Sequence, residues 1–404
     1  MKREWLQAPE LVRLLAVLGA PDVDVRVVGG CVRNAVMDRA VSEIDVATPE
    51  TPDAVMKRLS AAGVRAIPTG LEHGTVTALV DGKTFEVTSL RRDTACDGRH
   101  AAVEFTTDWA EDARRRDFTF NAMSMRRDGH LFDYFGGAED AAKGRVRFVG
   151  EAADRIREDY LRILRLFRFF AWYGRVNLDA DTLAACRAHA DGLARLSAER
   201  IQQEIVKTLA APAPEQAFML MEGCGVLAVV LPEVRDLARL AALTRLESAV
   251  AAAIDWRRRL AALLAGGESD SVAARLKFSA VDRERLRRLT ATEPLVDATT
   301  PPTQVRAAIY KSGAEIISDR VLLAWAHART RGAGDAGWAE QLAVAEAWEP
   351  RTLPVSGADV LALGLGQGPH VGRILSAVEA WWIAHDFAPP RDEALVELRR
   401  QAEL

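Results

Sequence analysis

Only four cysteines occur among the 404 residues, Cys31, Cys96, Cys186 and Cys224, and none forms a CxxC pair or stands beside a histidine. This scatter excludes a disulfide framework or a zinc site of the usual spacing, and it predicts a reducing, cytoplasmic setting. Long apolar runs are missing as well. Nothing approaches a membrane span, and Glu10 and Arg13 interrupt the N-terminal apolar run, which predicts an amphipathic helix packed on a domain. No periodic repeat and no low-complexity tract is present. The formal net charge is only −4, which argues against an evenly basic nucleic-acid coat, although arginines cluster at Arg114-Arg115-Arg116 and along Arg155 to Arg175. Gly29-Gly30 lacks GxGxxG spacing, so a dinucleotide-binding oxidoreductase is set aside. No histidine is placed for acid–base chemistry: His73, flanked by Glu72 and Gly74, is expected in a turn contact. No obligate protein partner is evident.

The chain is long enough for two or more compact units. Up to about residue 145, β-rich runs alternate with helical ones, with strands expected at Val25–Val28, Glu43–Ala47, Val64–Ile67, His73–Val80, Thr84–Ser89, Glu104–Thr106 and His130–Asp133. Beyond it, stretches rich in Ala, Leu and Arg have helical spacing. The expected fold class is α+β, a mixed sheet with helices over 1–145 followed by all-helical segments over 146–210 and 211–404. Weak breaks at Ala211-Pro212-Ala213-Pro214, Gly266-Gly267 and Thr299 to Pro302 suit helix connections.

The densest signal is VVGGCVRNAVMDRAVSEIDVAT, residues 27–48. A Gly29-Gly30 turn entering a helix exposes backbone N–H groups to a triphosphate, and Arg33 adds a cation. Downstream, Glu43 and Asp45 flank Ile44. On a strand the two acids would share a face able to hold Mg²⁺, with Ile44 and Val46 packed behind them. Alternation in Thr84-Phe85-Glu86-Val87-Thr88 puts Glu86 opposite Phe85 and Val87, a third carboxylate if the two strands are neighbours. The segment Arg115-Arg116-Asp117-Phe118-Thr119-Phe120-Asn121 combines arginines able to clamp phosphate with an acid able to accept ribose hydroxyls.

Arg157 to Arg168 reads as a single helix whose buried stripe is Tyr160, Ile163, Leu164, Phe167 and Phe170. On its other side Asp159 and Arg162 are i, i+3 neighbours, and Glu158 and Arg162 are i, i+4 neighbours. An intrahelical ion-pair network is the plain reading. A sharper one is base recognition. Cytosine and adenine both set an amine donor beside a ring-nitrogen acceptor, which an Asp acceptor and an Arg donor complement. Guanine and uracil set a carbonyl beside a ring N–H, and a buried mismatch costs about 1–3 kcal/mol per group.

Taken together, Gly29-Gly30-x-x-Arg33, Glu43-x-Asp45, Phe85 to Arg91, Arg115 to Ala122, Asp133 with Gly136-Gly137, Glu158-Asp159-x-x-Arg162 and Ser197 to Ile201 with Glu204 resemble the class II tRNA nucleotidyltransferases. This is the CCA-adding enzyme and bacterial poly(A) polymerase family of the polymerase β-like superfamily. The resemblance implies a nucleotidyltransferase head (1–145), a helical neck that recognises the base (146–210) and a body and tail that hold tRNA (211–404). It implies addition of CCA to the tRNA 3′ end from CTP and ATP by two-metal nucleotidyl transfer. Two Mg²⁺ ions are expected at Glu43 and Asp45, with Glu86 as a third catalytic acid. Gly29, Gly30, Arg33, Arg116, Asp117, Asn121, Asp159, Arg162 and Arg165 are expected to bind the nucleotide, Asp117 at the ribose and Asp159 with Arg162 as protein template. Asp93 to Ala102 matches the family's flexible loop. Arg257-Arg258-Arg259 and Arg285 to Arg288 are candidate tRNA contacts, an ordinary solvated face being the better reading of each. Two positions depart from the family: Glu43, where Asp is usual, and Asn34, where Asp is common. The alternatives are a poly(A) polymerase, a CC- or A-adding enzyme, or a catalytically degenerate RNA-binding protein.

Overall fold

The computed structural model describes residues 4–96, 101–264 and 268–402. The chain divides into two compact units, Met1–Pro232 and Glu233–Leu404. Among the described residues the strands all belong to the first: β1 (Arg26–Val28), β2 (Asp45–Thr48), β3 (Arg65–Gly70), β4 (Thr75–Val80), β5 (Lys83–Ser89), β6 (Arg91–Cys96), β7 (Ala101–Phe105), β8 (Ser124–Met125) and β9 (Leu131–Phe132). Seven form one sheet in the order β3-β4-β5-β2-β1-β8-β9, while β6 and β7 pair as a separate ribbon. Only β2 and β5 run parallel, and every other neighbouring pair is antiparallel, so the sheet is mixed as expected. Alternation decides the faces. Val76, Ala78 and Val80 of β4 and Phe85 and Val87 of β5 are buried, whereas Glu86 is exposed on the other side. β1, flanked by β2 and β8, is buried at all three positions and carries no polar–apolar alternation.

Helices of this unit are α1 (Pro9–Val17), α2 (Gly30–Val36), α3 (Pro52–Ala61), α4 (Trp109–Arg114), α5 (Gly137–Lys143), α6 (Ala152–Glu158), α7 (Leu161–Tyr173), α8 (Ala180–His189), α9 (Ala198–Leu209), α10 (Glu215–Gly223) and α11 (Val226–Val230). Where one helix is expected from Arg157 to Arg168, the chain breaks. Asp159 is extended, at φ −155° and ψ 110°, between α6 and α7. The reason is local: Asp159 Oδ1 accepts the Leu161 N–H at 3.0 Å, an Asx-type turn that competes with helix continuation. Ile163, Leu164, Phe167 and Phe170 are buried as expected, but Tyr160 is only partly buried and lies over Gly192, where an added Cβ would come within 2.2 Å of the ring. His73 closes the short helical turn Leu71–His73 ahead of β4 and is not part of the strand. The proposed flexible loop, Asp93 to Ala102, lies partly in the β6–β7 ribbon, and its residues 97–100 fall outside the described residues.

The second unit is helical throughout: α12 (Leu237–Ala249), α13 (Trp256–Leu263), α14 (Ser269–Arg275), α15 (Ala280–Thr290), α16 (Pro302–Ser312), α17 (Ala314–Thr330), α18 (Trp338–Glu346), α19 (Gly357–Leu361), α20 (Pro369–Ala384) and α21 (Arg391–Ala402). One apolar cluster runs from Leu243 on α12 to Leu342 on α18, and a smaller one joins Val360, Val378 and Leu398. Of the arginines considered for tRNA binding, Arg287 is exposed, whereas Arg258, Arg259 and Arg285 are engaged by acids of the same unit. Arg258 and Arg259 are 5% and 1% exposed, with Arg258 bound to Glu247 and Asp319 and Arg259 to Glu247. Arg285 pairs with Asp255, Glu315 and Asp319. Among the described residues no helix is long and apolar enough to cross a membrane.

The Asp133-Gly136-Gly137 motif is a packing device. Asp133 accepts the N–H groups of Gly137 at 2.8 Å and Ala138 at 2.9 Å, which starts α5. An ideal Cβ on Gly137 would lie 2.2 Å from the Thr119 carbonyl oxygen. Only glycine lets α5 approach the turn that follows Asp117. Gly137→Ala is therefore expected to destabilise the first unit by about 2 kcal/mol or more, read as a lower denaturant midpoint at unchanged slope.

Candidate active site

Strand register assembles the acidic side of the site. Val28 pairs with Asp45 across β1 and β2, and Asp45 pairs with Glu86 across β2 and β5. The chain then turns at Gly29, whose φ of +71° lies in the left-handed region, before entering α2. A Cβ at Gly29 would sit 3.4 Å from Arg116 Nη1 and 4.0 Å from Asp45 Oδ2. The Gly29 backbone thus stands beside one cation and one carboxylate at once. A cavity of about 800 Å³ opens against Glu43, Asp45 and Glu86, with Trp5, Glu10, Thr77 and Lys83 among its walls.

Glu43 differs from expectation. β2 starts at Asp45, so Glu43 and Ile44 lie in the irregular segment before it; Glu43 is exposed and Ile44 only partly buried. The carboxylates that the sheet pairs directly are Asp45 and Glu86, with Glu43 acting on Asp45 through its charge. Burial, then the negative charges of Glu86 and Glu43, push the Asp45 carboxyl above its ordinary range, and Arg116 opposes them only in part. Such mutual repulsion suits a cation-binding site. Among the described residues no three protein ligands are already gathered. A hard cation held by one or two carboxylates and completed by phosphate oxygens fits this donor set.

A continuous polar chain links α2 and the segment after α4 to α7. Asn34 Oδ1 accepts from Arg33 Nε at 3.2 Å and Nη2 at 3.0 Å, while its amide donates to the Ala40 carbonyl at 3.0 Å. Arg33 Nη1 donates to Asn121 Oδ1 at 2.7 Å, and Asn121 Nδ2 donates to Asp117 Oδ1 at 3.1 Å. Arg165 Nε, from α7, closes the chain on Asp117 Oδ2 at 2.6 Å. Asp117 is 8% exposed and also accepts the Phe118 N–H at 2.8 Å. Arg116 is steadied by buried Asp112, with Nη2 at 3.1 Å from Oδ2, and Arg115 binds the other oxygen of the same carboxylate.

Asp159 and Arg162 do not bond each other's side chains. Asp159 Oδ2 accepts from Arg200 Nη2 at 2.6 Å. Arg162 is bound to Glu158 and donates to the Arg155 and Arg115 carbonyls at 3.1 and 3.2 Å. Arg200 and Asp112 were missed as site residues. Arg200 lay inside a recognised motif without a role, and Asp112 was one acid among several whose burial is tertiary.

Two family models match the sequence, one described as the poly A polymerase head domain over residues 25–147, the other as a probable RNA and SrmB-binding site of polymerase A over residues 175–237. The mitochondrial CCA tRNA nucleotidyltransferase 1 of Mus musculus is 32% identical over 430 residues, spanning 98% of this chain and 93% of that protein. The chain belongs to the class II CCA-adding tRNA nucleotidyltransferase family. The Danio rerio protein of the same name is 47% identical over a shorter stretch, 51% of this chain and 48% of its own length. The crystal structure of the Bacillus stearothermophilus CCA-adding enzyme in complex with CTP has a TM-score of 0.75 at 28% identity and covers 100% of this chain and 99% of that one. A Thermotoga maritima CCA-adding enzyme complexed with tRNA shares the fold, at TM-score 0.70 and 18% identity over 99% of this chain and 98% of that one. Members of this family are nucleotidyltransferases that generally use divalent metal ions.

The repulsion at Asp45 carries a signed prediction. Its folded pKa is raised, so its charge costs stability once both states are ionised, and that cost vanishes below the ordinary carboxylate range where both are protonated. Asp45→Asn is expected to raise the melting temperature of the metal-free protein at pH 7 by a few degrees, about 1 kcal/mol, and to lose the advantage as the pH falls to 3. An Asn variant no more stable at pH 7 would show that the acids do not strain one another.

Proposed function

We propose that this chain adds cytidine, cytidine and adenosine in turn to the 3′ end of tRNA, from CTP and ATP, through the site built on β1, β2, β5 and α7. The observation that carries the reading is the strand register that brings Asp45 and Glu86 together beside the Gly29 turn, in a chain with the family's neck. The triphosphate lies over Gly29-Gly30 with Arg33 and Arg116 as its cations. Asn34 and Asn121 aim the Arg33 guanidinium, and Asp112 aims that of Arg116, so both arrive oriented. Asp45 and Glu86, with Glu43 as an adjacent ligand, would hold two Mg²⁺ ions. When bound, these supply charge neutralisation at the phosphates and make the attacking hydroxyl more acidic.

The tRNA 3′-oxygen bonds to the α-phosphorus as the bond to the β-phosphate bridging oxygen breaks, pyrophosphate leaves, and the hydroxyl proton passes to solvent. No side-chain general base is required. Arg165 holds Asp117 Oδ2 through both Nε at 2.6 Å and Nη2 at 2.5 Å, and Asp117 reaches the ribose by giving up one of these bonds. Asp159 accepts the exocyclic amine of cytosine or adenine, and Arg162 donates to the neighbouring ring nitrogen. The helical second unit holds the tRNA through shape and phosphate contacts. Cys31, Cys186 and Cys224 are buried free thiols, with burial pushing Cys31 up to about 12, which supports a reducing, cytoplasmic setting; the mitochondrial label belongs to the vertebrate relatives.

The test is extension of a tRNA transcript ending at the discriminator base. With Mg²⁺, CTP alone is expected to add two nucleotides, and CTP with ATP to add three and stop. An open-ended ATP ladder would instead indicate a poly(A) polymerase, and a stop after two with both nucleotides a CC-adding enzyme. Binding without extension would indicate a degenerate RNA-binding protein.

A further inference from the structure

The Ser197–Ile201 motif with Glu204 has no part in the chemistry above, yet it opens the helix that backs the base pocket. Ser197 accepts the Arg200 N–H at 3.4 Å and starts α9. One turn apart, Arg200 and Glu204 both reach side chains of the α6–α7 segment. Glu204, 4% exposed, accepts from Arg168 Nη1 at 3.2 Å. Arg200 Nη2 meets Asp159 Oδ2 at 2.6 Å while the Leu161 N–H holds Asp159 Oδ1 at 3.0 Å. Two donors from different elements therefore fix both oxygens of one carboxylate. Each oxygen keeps a further lone pair for a third donor.

We infer that Arg200 is a positioning residue for base selection, holding the Asp159 carboxylate in the orientation from which it accepts the exocyclic amine of cytosine or adenine. The inference rests on the reading of Asp159 and Arg162 as the base template. Asp159 sits at a break between helices, where the Leu161 N–H holds only one of its oxygens. Without Arg200, the other oxygen is open to the pull of an α7 cation. Arg165 already feels the Asp159 charge. A carboxylate turned toward Arg165 would leave the pocket edge, and the mismatch that rejects guanine and uracil would weaken. A lysine would restore the charge but not the planar fork that sets the direction, so rescue would be partial.

The experiment compares single-nucleotide addition from each of the four triphosphates by the full-length wild type, Arg200→Ala, Arg200→Lys and Asp159→Ala, on tRNA ending at the discriminator base or at its second added C. The expected result for Arg200→Ala is a fall of about tenfold in the kcat/KM ratios of CTP over UTP and of ATP over GTP, one base-edge hydrogen bond's worth. Arg200→Lys should lie between it and the wild type. Equal slowing with all four triphosphates, ratios unchanged, would make Arg200 merely structural and overturn the inference. Should Arg200→Ala fail to fold, Arg200→Lys decides: a reduced ratio supports the inference, and an unchanged one overturns it. If Asp159→Ala loses selectivity while Arg200→Ala keeps it, the inference alone fails. If Asp159→Ala keeps the wild-type ratios, the template reading fails and takes the inference with it.

Discussion

The ion pair between buried Asp117 and partly exposed Arg165 is the constraint on which the site depends. Asp117 belongs to the strand-containing part of the first unit and Arg165 to the long helix behind it, and the pair fixes one against the other at 2.6 Å. Burial drives the Asp117 carboxyl up, but the Arg165 charge, the Asn121 amide and the Phe118 N–H outweigh it and hold the group below its ordinary range. A depressed folded pKa contributes stability that is present above the ordinary carboxylate range and lost as pH falls through the depressed value. Removing Arg165 would leave the buried Asp117 carboxylate without its main counter-charge, a loss of up to about 3 kcal/mol since the Arg165 side is a third exposed. Because the same Asp117 is tied through Asn121 to Arg33, the cation proposed for the triphosphate and the helix proposed for the base are positioned by one network.

Around that network the charges are divided. Burial and the charges of Glu86 and Glu43 raise the Asp45 carboxyl, and Arg116 relieves this only in part, which disfavours the ligand-free state and favours a cation. Arg116 and Arg33 are already oriented by Asp112, Asn34 and Asn121, so an incoming polyanion finds them in place rather than having to order them. Stability given up at the acids is the expected counterpart of function there.

Much of this was legible in the residue order. Alternation in Thr84 to Thr88 gave the correct face for Glu86, since Phe85 and Val87 have nowhere to go but the core. The mixed sheet followed by helices was also legible. What failed was local geometry under tertiary control. Glu43 lies two residues ahead of its strand because pairing with β1 begins only at Asp45. The helix expected through Arg157 to Arg168 breaks because the Asp159 side chain captures a backbone N–H, a competition that apolar periodicity does not register. Arg258 and Arg259 looked like surface cations, but their acids, Glu247 and Asp319, come from other helices, and no local spacing announces such partners.

The most direct test of the account is a crystal structure of this protein with CTP and Mg²⁺. The account predicts the triphosphate over Gly29-Gly30, metal density against Asp45 and Glu86, and the cytosine amine on Asp159 with its ring nitrogen facing Arg162. A nucleotide whose base lies away from Asp159 and Arg162, or metal density that avoids Asp45 and Glu86, would contradict it.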